Sequence, residues 1–555
     1  MTIVPFIKQA RRGDLIKIAL LTAVAGLANA LLIVVINEVA ILVAQGVRPG
    51  TIQWFIFAAA FALYFQCNKM ALLQANRVIE RLLRNLRNDV ADKLRRSELK
   101  TVNHLGRGKL YSLLSHETNH LSVTFPILVE SFQQAILLVI ALFYLAYLSW
   151  TALLVFMLAV LLGVYGYTHI NKSYRDTLQK VARQQAKMLD RFGDIIHGSK
   201  ELRLNSFRSK AVFQVFNQQS HATEELLTAA GGRWAYLILL GAVVMFTMLG
   251  IVVFVFPNYI DGHSTIIFQL VPTMMFCLSP LTKIVAQSPL FLRADVGLHE
   301  ILHMQKELEA AGGISPASAR KAAEHFQDFQ KIEFSEITYQ HRDLDGTALF
   351  TSGPWDLTLQ RGELLFLVGG NGSGKSTALR LLSGLYHRDT GRIAVDGSAP
   401  LNDVQFAGIR ELYSAIFGDF HLFDRLYGLE HVKQEEVDRL IEMMELTGKV
   451  QFVDGRFTQL QLSTGQRKRL ALIATLLEDR PIYLFDEWAA EQDIHFREIF
   501  YTKILPGLKA QGKTVIAVTH DERFWHLADR VIKFDLGAIK WERPGTDLAD
   551  SPPAV

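Results

Sequence analysis

Six long apolar stretches dominate the first half of the chain, and polar or charged segments separate most of them. Each stretch is at least as long as the roughly 20 residues that an α-helix needs to cross the hydrocarbon core of a bilayer. The stretches run over residues 16–44, 52–73, 126–149, 151–171, 232–256 and 264–288. This pattern predicts six membrane-spanning helices, of which the third and fourth are joined by a tight hairpin at residues 149–151.

Basic residues between the spans indicate how the chain is oriented in the membrane. The long segments between spans two and three and between spans four and five are rich in lysine and arginine, whereas the three short connections hold one basic residue, Arg48. The positive-inside rule therefore predicts that both long segments and both termini are cytoplasmic. Residues 74–100 and 173–230 have amphipathic helical patterns, which predict that the spans continue into the cytoplasm as helical stalks.

The pattern changes after residues 312–316, where short apolar runs begin to alternate with helical patterns, as in an α/β domain. The predicted fold is therefore a polytopic α-helical membrane domain of six helices followed by an α/β domain. We place the membrane domain with its stalks at 1–310, a linker at 311–324, the α/β domain at 325–545 and a flexible tail at 546–555.

Composition agrees with a membrane protein and excludes other classes. Half of the residues are hydrophobic, 20% are charged and the mean hydropathy is +0.19. The net charge of +4 is small, and no basic-aromatic pattern of a nucleic-acid module is present, so we expect no nucleic-acid partner.

Cys67 and Cys277 lie in apolar stretches without the spacing of a metal site or a disulfide framework. The first apolar run is too long for a signal peptide, and we expect it to remain as a membrane anchor.

A glycine-rich loop follows a short apolar run at residues 363–368 and precedes a helical pattern. Its sequence fits the G-x-x-x-x-G-K-[ST] phosphate-binding loop in the strand–loop–helix context that this motif requires. Backbone N–H groups of such a loop bind phosphates, the lysine contacts the β- and γ-phosphates, and the following serine is a ligand of Mg²⁺. The predicted nucleotide-binding residues are Gly369, Gly370, Asn371, Gly372, Ser373, Gly374, Lys375, Ser376 and Thr377.

A second apolar run, residues 481–485, ends in two carboxylates, Asp486 and Glu487. Acidic residues at the end of a strand are commonly exposed to solvent and have no binding role, and this is the alternative interpretation. Together with the phosphate-binding loop, however, they predict a nucleotide site. We expect Asp486 and Ser376 to hold Mg²⁺, and Glu487 to act as the general base that polarises the attacking water.

Residues 462–466, Leu-Ser-Thr-Gly-Gln, begin a further helical pattern and resemble the LSGGQ signature of ATP-binding cassette (ABC) proteins, with Thr464 in place of one glycine. Ser463 is a candidate helix N-cap, and Gly465 permits close approach to an anion. The resemblance implies that Ser463, Gly465 and Gln466 contact ATP. It also implies that His520 is the switch histidine that senses the γ-phosphate. Asp493 matches the aspartate of the D-loop, and either Tyr339 or His341 would stack on adenine.

The family usually has a Mg²⁺-ligating glutamine at the position of Gly418, and here that glutamine is absent. The next residue, Asp419, is one candidate for its replacement, and water is the other. Residues 485–493 and 414–423 look like those of the cyclic-peptide and siderophore-precursor exporters of Gram-negative bacteria, such as the pyoverdine, microcin and syringomycin exporters. The cassette and the six spans resemble one half of such an exporter.

The resemblance implies a homodimeric, ATP-hydrolysing exporter in the bacterial inner membrane. ATP and Mg²⁺ would be its cofactors, the lipid bilayer its surroundings, and a peptide or siderophore-like molecule its substrate, moved to the periplasm by alternating access. A lipid flippase, a siderophore importer and a non-transporting membrane ATPase remain alternatives. Polar residues inside the spans are candidates for a functional role. The alternative is that some of them lie at the bilayer edges or pair with one another. These residues are Asn37, Glu38, Glu130, Gln133, Gln134 and Lys283.

Overall fold

The computed structural model describes residues 3–44, 46–105, 110–111, 113–255, 267–310, 312–343 and 347–548. Contacts divide the chain into two compact units. The first unit comprises residues 1–90 and 108–304, and the second comprises residues 91–107 and 305–555. The short segment 91–107 therefore belongs with the C-terminal unit, although it is continuous with a predicted stalk.

The first unit is helical. Its helices are α1 Ile3–Ile7, α2 Arg12–Ala44, α3 Thr51–Arg96, α5 Thr118–Leu148, α6 Trp150–His197, α7 Ser199–Leu204, α8 Ser206–Gly250 and α9 Ile267–Ala310. The ends of α3 and α9 continue into the second unit, which also contains α4 Leu99–Leu105. Short π-helical turns, Leu113–Glu117 and Ile251–Val255, precede α5 and follow α8.

Six of these helices are long and apolar enough to cross a membrane, which confirms the predicted number of spans within the described residues. The charged stalk sequences continue the same helices, so that α6 alone has 48 residues. Buried side chains of α5, α6, α8 and α9 pack together around Phe156, Met248 and Leu278. The short connection between spans five and six, which includes residues 258–263, lies outside the described residues.

The predicted polar residues of the spans have different environments. The buried Asn37 donates a hydrogen bond to the Thr273 hydroxyl over 3.1 Å. Gln133 and Gln134 are buried, whereas Glu38 is exposed. Lys283 of α9 forms an ion pair with Glu130 of α5, with 3.1 Å between Nζ and Oε1. The alternative that some of these groups pair with one another therefore holds for Glu130 and Lys283.

The second unit is the predicted α/β domain. Its strands are β1 Lys331–Arg342, β2 Ala348–Gln360, β3 Leu364–Val368, β4 Thr390–Val395, β5 Tyr413–Ile416, β6 Phe452–Val453, β7 Arg456–Phe457, β8 Ile482–Asp486, β9 Thr514–Val518, β10 Arg530–Asp535 and β11 Ala538–Pro544. Its helices are α10 Pro316–Ala323, α11 Lys375–Leu382, α12 Asp403–Ile409, α13 Gln434–Met443, α14 Thr464–Leu477, α15 Ile494–Ile499 and α16 Leu505–Ala510.

Two main sheets organise this unit. β1 lies between β2 and β4 in an antiparallel sheet, and the larger sheet has the order β11-β10-β3-β9-β8-β5. Strands β3, β8 and β9 are buried along their whole length, as expected for the central parallel strands of a covered sheet. In the parallel register, Val518 of β9 is opposite both Leu367 and Asp486. The carboxyl ends of these three strands therefore meet at one edge of the sheet.

The segment 311–324, predicted as a linker, contains helix α10. Ser315 caps this helix, and Pro316 occupies its first turn. Ala322 and Ala323 lie so close to Gly408 of α12 that a Cβ added there would meet the Ala322 Cβ at 2.9 Å. The segment is therefore packed onto the α/β unit, because small residues on both helices permit close approach. Sequence pattern alone did not reveal this contact.

Candidate nucleotide-hydrolysis site

The phosphate-binding loop connects β3 to α11, as the sequence predicts. Gly374 has a φ of 100°, a left-handed conformation that glycine adopts without strain. Helix α11 then begins at Lys375, whose ammonium donates hydrogen bonds of 2.9 Å to the carbonyl oxygens of Gly369 and Gly370. Burial lowers the pKa of Lys375, and the nearby carboxylates oppose this effect. The loop thus holds a positive charge at its centre, beside the positive end of a helix.

Other residues of the loop are also arranged to receive an anion. Asn371 and Gly372 are exposed at the tip of the loop, whereas Ser373 is buried. The Ser373 hydroxyl has no hydrogen-bond partner in the part of the chain that the structure describes. A buried hydroxyl normally has a partner, so its position here fits an oxygen atom of a bound phosphate. The donor set of the loop is consistent with the predicted binding of ATP.

The predicted magnesium ligands meet at the start of α11 and the end of β8. The Ser376 hydroxyl lies 3.4 Å from Oδ1 of Asp486. Burial, and then the neighbouring Glu487 carboxylate, raise the pKa of Asp486. The described residues contain no group of three or more His, Cys, Asp or Glu side chains that could hold a metal by themselves. This fits Mg²⁺, which takes one or two protein oxygens and completes its shell with phosphates and waters.

Glu487, the predicted general base, and His520, the predicted switch histidine, lie side by side. Nε2 of His520 lies 2.9 Å from Oε1 of Glu487, and both side chains are partly exposed. They line a cavity of about 350 Å³, together with Tyr501 and Thr519. Glu487 has a φ of 49°, which is uncommon for a residue with a side chain. A carboxylate held by a histidine beside the phosphate-binding loop can accept a proton from an attacking water.

The signature segment forms the amino end of α14. Ser463 is its N-cap and forms a reciprocal capping box with Gln466. This confirms the predicted cap, and it gives the Gln466 side chain a structural partner within its own helix. Ser463 and Thr464 are exposed, so the end of the helix remains open to a ligand. A Cβ at Gly465 would lie 3.0 Å from the backbone oxygen of Glu491, which explains the requirement for glycine.

Polar side chains connect the signature segment to the segment after Glu487. Gln492 donates a hydrogen bond of 3.0 Å to the Gly465 carbonyl, and Arg469 donates one of 3.0 Å to Gln492. Arg469 also binds Oδ2 of Asp493 over 2.8 Å. The other oxygen of Asp493 accepts the N–H of Phe496 and caps α15. Both oxygens of Asp493 thus connect α14 to the start of α15, while the side chain remains 55% exposed. The D-loop role that the resemblance implies for Asp493 stays a prediction.

The adenine partner named first from the sequence, Tyr339, is not available for stacking. Its side chain is 4% exposed, and its ring is stacked on Tyr386 at a centroid distance of 4.8 Å. His341 lies two residues further along β1 and is only partly buried. Its Nε2 is 3.0 Å from the Thr377 hydroxyl, which places the imidazole beside the first turn of α11. The structure therefore corrects this assignment and favours His341.

We expect His341→Ala to weaken ATP binding about tenfold, because base–aromatic stacking contributes about 1–3 kcal/mol. His341→Tyr restores an aromatic face and should recover most of the affinity. Tyr339→Phe is the matched control, since it keeps the buried ring and should leave ATP affinity unchanged. Equilibrium binding of a fluorescent ATP analogue to the purified protein measures these effects. Undiminished affinity in His341→Ala would exclude the imidazole as the adenine platform.

Gly418 follows β5 and lies beside Asp486, to which its backbone N–H donates a hydrogen bond. A Cβ at this position would meet no heavy atom within 4 Å, so a larger side chain would fit. Asp419 is 73% exposed and lies 3.8 Å from the Arg380 guanidinium. The Asp419 carboxylate thus has a cationic partner other than a metal ion. This arrangement favours water as the replacement for the usual glutamine.

Sequence reasoning missed Lys468 and Trp488. The Lys468 side chain is almost completely buried, and its ammonium donates a hydrogen bond of 3.0 Å to the backbone carbonyl of Glu487. The indole of Trp488 donates one of 3.0 Å to the carbonyl of Lys468. The sequence did contain a signal that Lys468 is buried. Lys468 lies four residues before the buried Leu472, which puts both side chains on one face of the helix. These bonds connect α14 to the backbone of the candidate base.

Comparisons with known proteins find similarity both in the α/β unit and along nearly the whole chain. Residues 353–490 match the family model described as ABC transporter. The chain is 29% identical over 557 residues to the "ATP-binding protein SyrD" of Pseudomonas syringae pv. syringae, covering 96% of this chain and 97% of that protein. It is 32% identical over 209 residues to the "Probable syringafactin export ATP-binding/permease protein SyfD" of P. syringae pv. syringae (strain B728a), covering 35% and 31% of the two chains.

One solved structure resembles nearly the whole chain. It is described as a bacterial Atm1-family ABC exporter with ATP bound. The TM-score is 0.76 at 18% sequence identity, and the match covers 97% of this chain and 96% of the other. At this identity the likeness concerns the fold, namely six membrane helices followed by an α/β cassette.

Proposed function

Because the chain is an ABC transporter with an exporter-type fold and an ATPase coupled to transport, we propose that it exports a peptide-like or siderophore-precursor substrate from the cytoplasm to the periplasm. The proposal includes a homodimer that works by alternating access. It places the protein in the bacterial inner membrane as a multi-pass protein with both termini in the cytoplasm.

The observation that carries this proposal is the joining of a phosphate-binding loop, candidate magnesium ligands and a candidate base to six membrane-length helices in one chain. Lys375 lies within the phosphate-binding loop, and Asp486 and Ser376 can hold Mg²⁺ with ATP bound. That ion would neutralise charge on the phosphates. Glu487 accepts the proton of the attacking water, while His520 orients the carboxylate through the 2.9 Å contact.

The proposed homodimer is supported by the positions of the two nucleotide-binding surfaces on the cassette. The tip of the phosphate-binding loop at Asn371 and the helix end at Ser463 are both exposed. In the ABC family, ATP is sandwiched between the loop of one cassette and the signature of the other. Two copies of this chain would thus supply two complete sites. ATP-driven closure of the cassettes, followed by hydrolysis, would switch the membrane helices between two states.

The peptide-like substrate is supported by the relatives. One is named for syringafactin export, and another matches this chain along nearly its full length. The name of the syringafactin relative also supports the direction of transport. The distribution of basic residues predicts that the stalks and the cassette lie in the cytoplasm. No observation favours a flippase, an importer or a non-transporting ATPase over an exporter.

Reconstitution tests the proposal directly. Proteoliposomes whose cassettes face outward should accumulate peptide from the outside medium when ATP and Mg²⁺ are added. We expect accumulation to stop in Lys375→Ala, since the loop then lacks its central charge. A panel of cyclic and linear peptides should stimulate ATPase activity several-fold where they are transported.

Each alternative has its own signature in the same vesicles. Translocation of a fluorescent phospholipid without peptide accumulation would indicate a flippase. ATP-dependent loss of preloaded siderophore from the lumen, without uptake from outside, would indicate an importer. Peptide-stimulated ATPase activity without movement of any solute would contradict export and indicate a regulator.

A further inference from the structure

A polar cluster connects α5 and α9 inside the membrane unit. Lys283 and Glu130 form the ion pair described above, and the Gln287 amide lies 3.4 Å from the other oxygen of Glu130. The Ser131 hydroxyl donates to the Gln287 side chain. The side chains of Lys283 and Glu130 nevertheless remain 50% and 38% exposed. Ionisable groups that lie within a membrane span and are not covered by other parts of the protein are candidates for contact with a ligand.

An apolar groove lies directly beside this cluster. Its volume is about 420 Å³, within the range of pockets that bind small molecules, about 300–1,000 Å³. Helices α6, α8 and α9 form its walls, and Lys283 is itself one of the lining residues. Most of the other lining side chains are aliphatic, among them Val160, Val164, Leu240, Val244, Leu281 and Val285. The groove therefore has apolar walls and one cationic group.

The groove is also placed where an exported substrate would enter. Its residues on α6 and α8 lie in the parts of the apolar stretches 151–171 and 232–256 that adjoin the charged stalks. Lys283 lies near the end of its apolar stretch, 264–288. An amphiphile whose polar group stays near the cytoplasmic interface could thus place an apolar chain into the groove.

We propose that the groove and Lys283 form a binding subsite for a peptide substrate that carries an apolar chain next to a carboxylate. This inference rests on the proposed export function and specifies the substrate class. The substrate carboxylate binds the Lys283 ammonium beside Glu130, because the ammonium has three N–H donors, and Gln287 continues to donate to Glu130. In a medium of low dielectric constant, a neutral amide stabilises the Lys283 ammonium less than a carboxylate does. The subsite therefore binds the acid more tightly than the amide.

Binding of a defined probe tests the subsite without ATP. The probe is N-dodecanoyl-glycylglycine, and the matched control is its C-terminal amide, both titrated into the full-length protein in lipid nanodiscs. We expect the acid to bind about tenfold more tightly than the amide. Lys283→Gln should abolish this difference, and Lys283→Arg should retain it. Ala286→Phe, which fills the groove, should weaken both probes to a similar extent.

A charge exchange keeps the test valid if a single substitution disturbs folding. The double variant Glu130→Lys with Lys283→Glu preserves the ion pair but places a carboxylate at the groove. It should prefer the 2-aminoethyl amide of N-dodecanoyl-glycine over the acid. Continued preference for the acid, or an unchanged preference in Lys283→Gln, would overturn the inference and leave the pair as a link between two helices.

Three further outcomes separate this inference from other conclusions. Competition by dodecylphosphocholine as strong as that of the acid would assign the groove to lipid and overturn the peptide subsite. Failure of the unaltered protein to accumulate any peptide in proteoliposomes would instead overturn the proposed function, whatever the binding data. Peptide transport that does not depend on the residue at position 283 would overturn the subsite alone.

Discussion

Glu487→Gln should lower the rate of ATP hydrolysis by about 100-fold or more while leaving ATP binding intact. The substitution keeps the size of the side chain but removes the carboxylate that accepts a proton from the attacking water. Proton transfer by a positioned side chain contributes about 10²–10⁴-fold to a rate. The amide oxygen can still face His520, so the 2.9 Å contact is preserved. Single-turnover hydrolysis of radiolabelled ATP measures the effect.

The same variant should accumulate in a closed, ATP-bound dimer, because the step that resets the cassettes is blocked. Glu491→Gln is the matched control. Glu491 is also an acid after β8, and it lies 3.7 Å from Lys468 rather than beside His520. We expect this control to hydrolyse ATP at close to the parental rate. A parental rate in Glu487→Gln would assign the proton acceptor to another group.

Much of this site could be predicted from the sequence because its parts follow buried strands. The apolar runs before residue 369, before Asp486 and before His520 are the strands β3, β8 and β9. In a parallel sheet, the carboxyl ends of neighbouring strands meet at one edge. Local pattern therefore predicted a three-dimensional cluster, although Ser376 and Asp486 are 110 residues apart in the chain. The capping box at Ser463 is similarly local and was predicted as an N-cap.

The choice between Tyr339 and His341 could not be made from pattern. Residues two apart in a strand point to the same side of a sheet, so alternation does not distinguish them. Irregular register in β1, with shifts on either side of Ile337, further obscures the pattern. Tyr386, which follows α11 in the sequence, decides the matter by covering the Tyr339 ring. That contact is tertiary, so single-sequence reasoning had no access to it.

The same limit explains why the contacts between α14 and the segment after Glu487 were missed. Lys468 and Arg469 are polar residues in a helical pattern, and polar residues usually face solvent. Here their partners are a backbone carbonyl and the Gln492 side chain, about 20 residues away. Their role depends on how α14 packs beside the end of β8. Helix and strand periodicities specify neither the distance nor the direction of that packing.

Covalently linked dimers should show that each ATP site is shared between two chains. In the first dimer, one chain carries Lys375→Ala and the other carries Ser463→Arg. If the sites are shared, both substitutions fall in the same site and the second site is intact. We expect this dimer to retain ATPase activity well above background. Ser463 is exposed at the end of α14, so the arginine blocks the site without disturbing a core.

The second dimer is the control and carries both substitutions in one chain beside an unaltered chain. Each shared site then has one defect, and we expect activity to fall about 100-fold, since removing one preorganised charge or donor costs about 10²–10³ in rate. If each cassette instead worked alone, the pattern would reverse. The first dimer would be inactive, and the second would retain one working cassette. Steady-state ATPase rates of the two linked dimers therefore distinguish shared from independent sites by the sign of the difference.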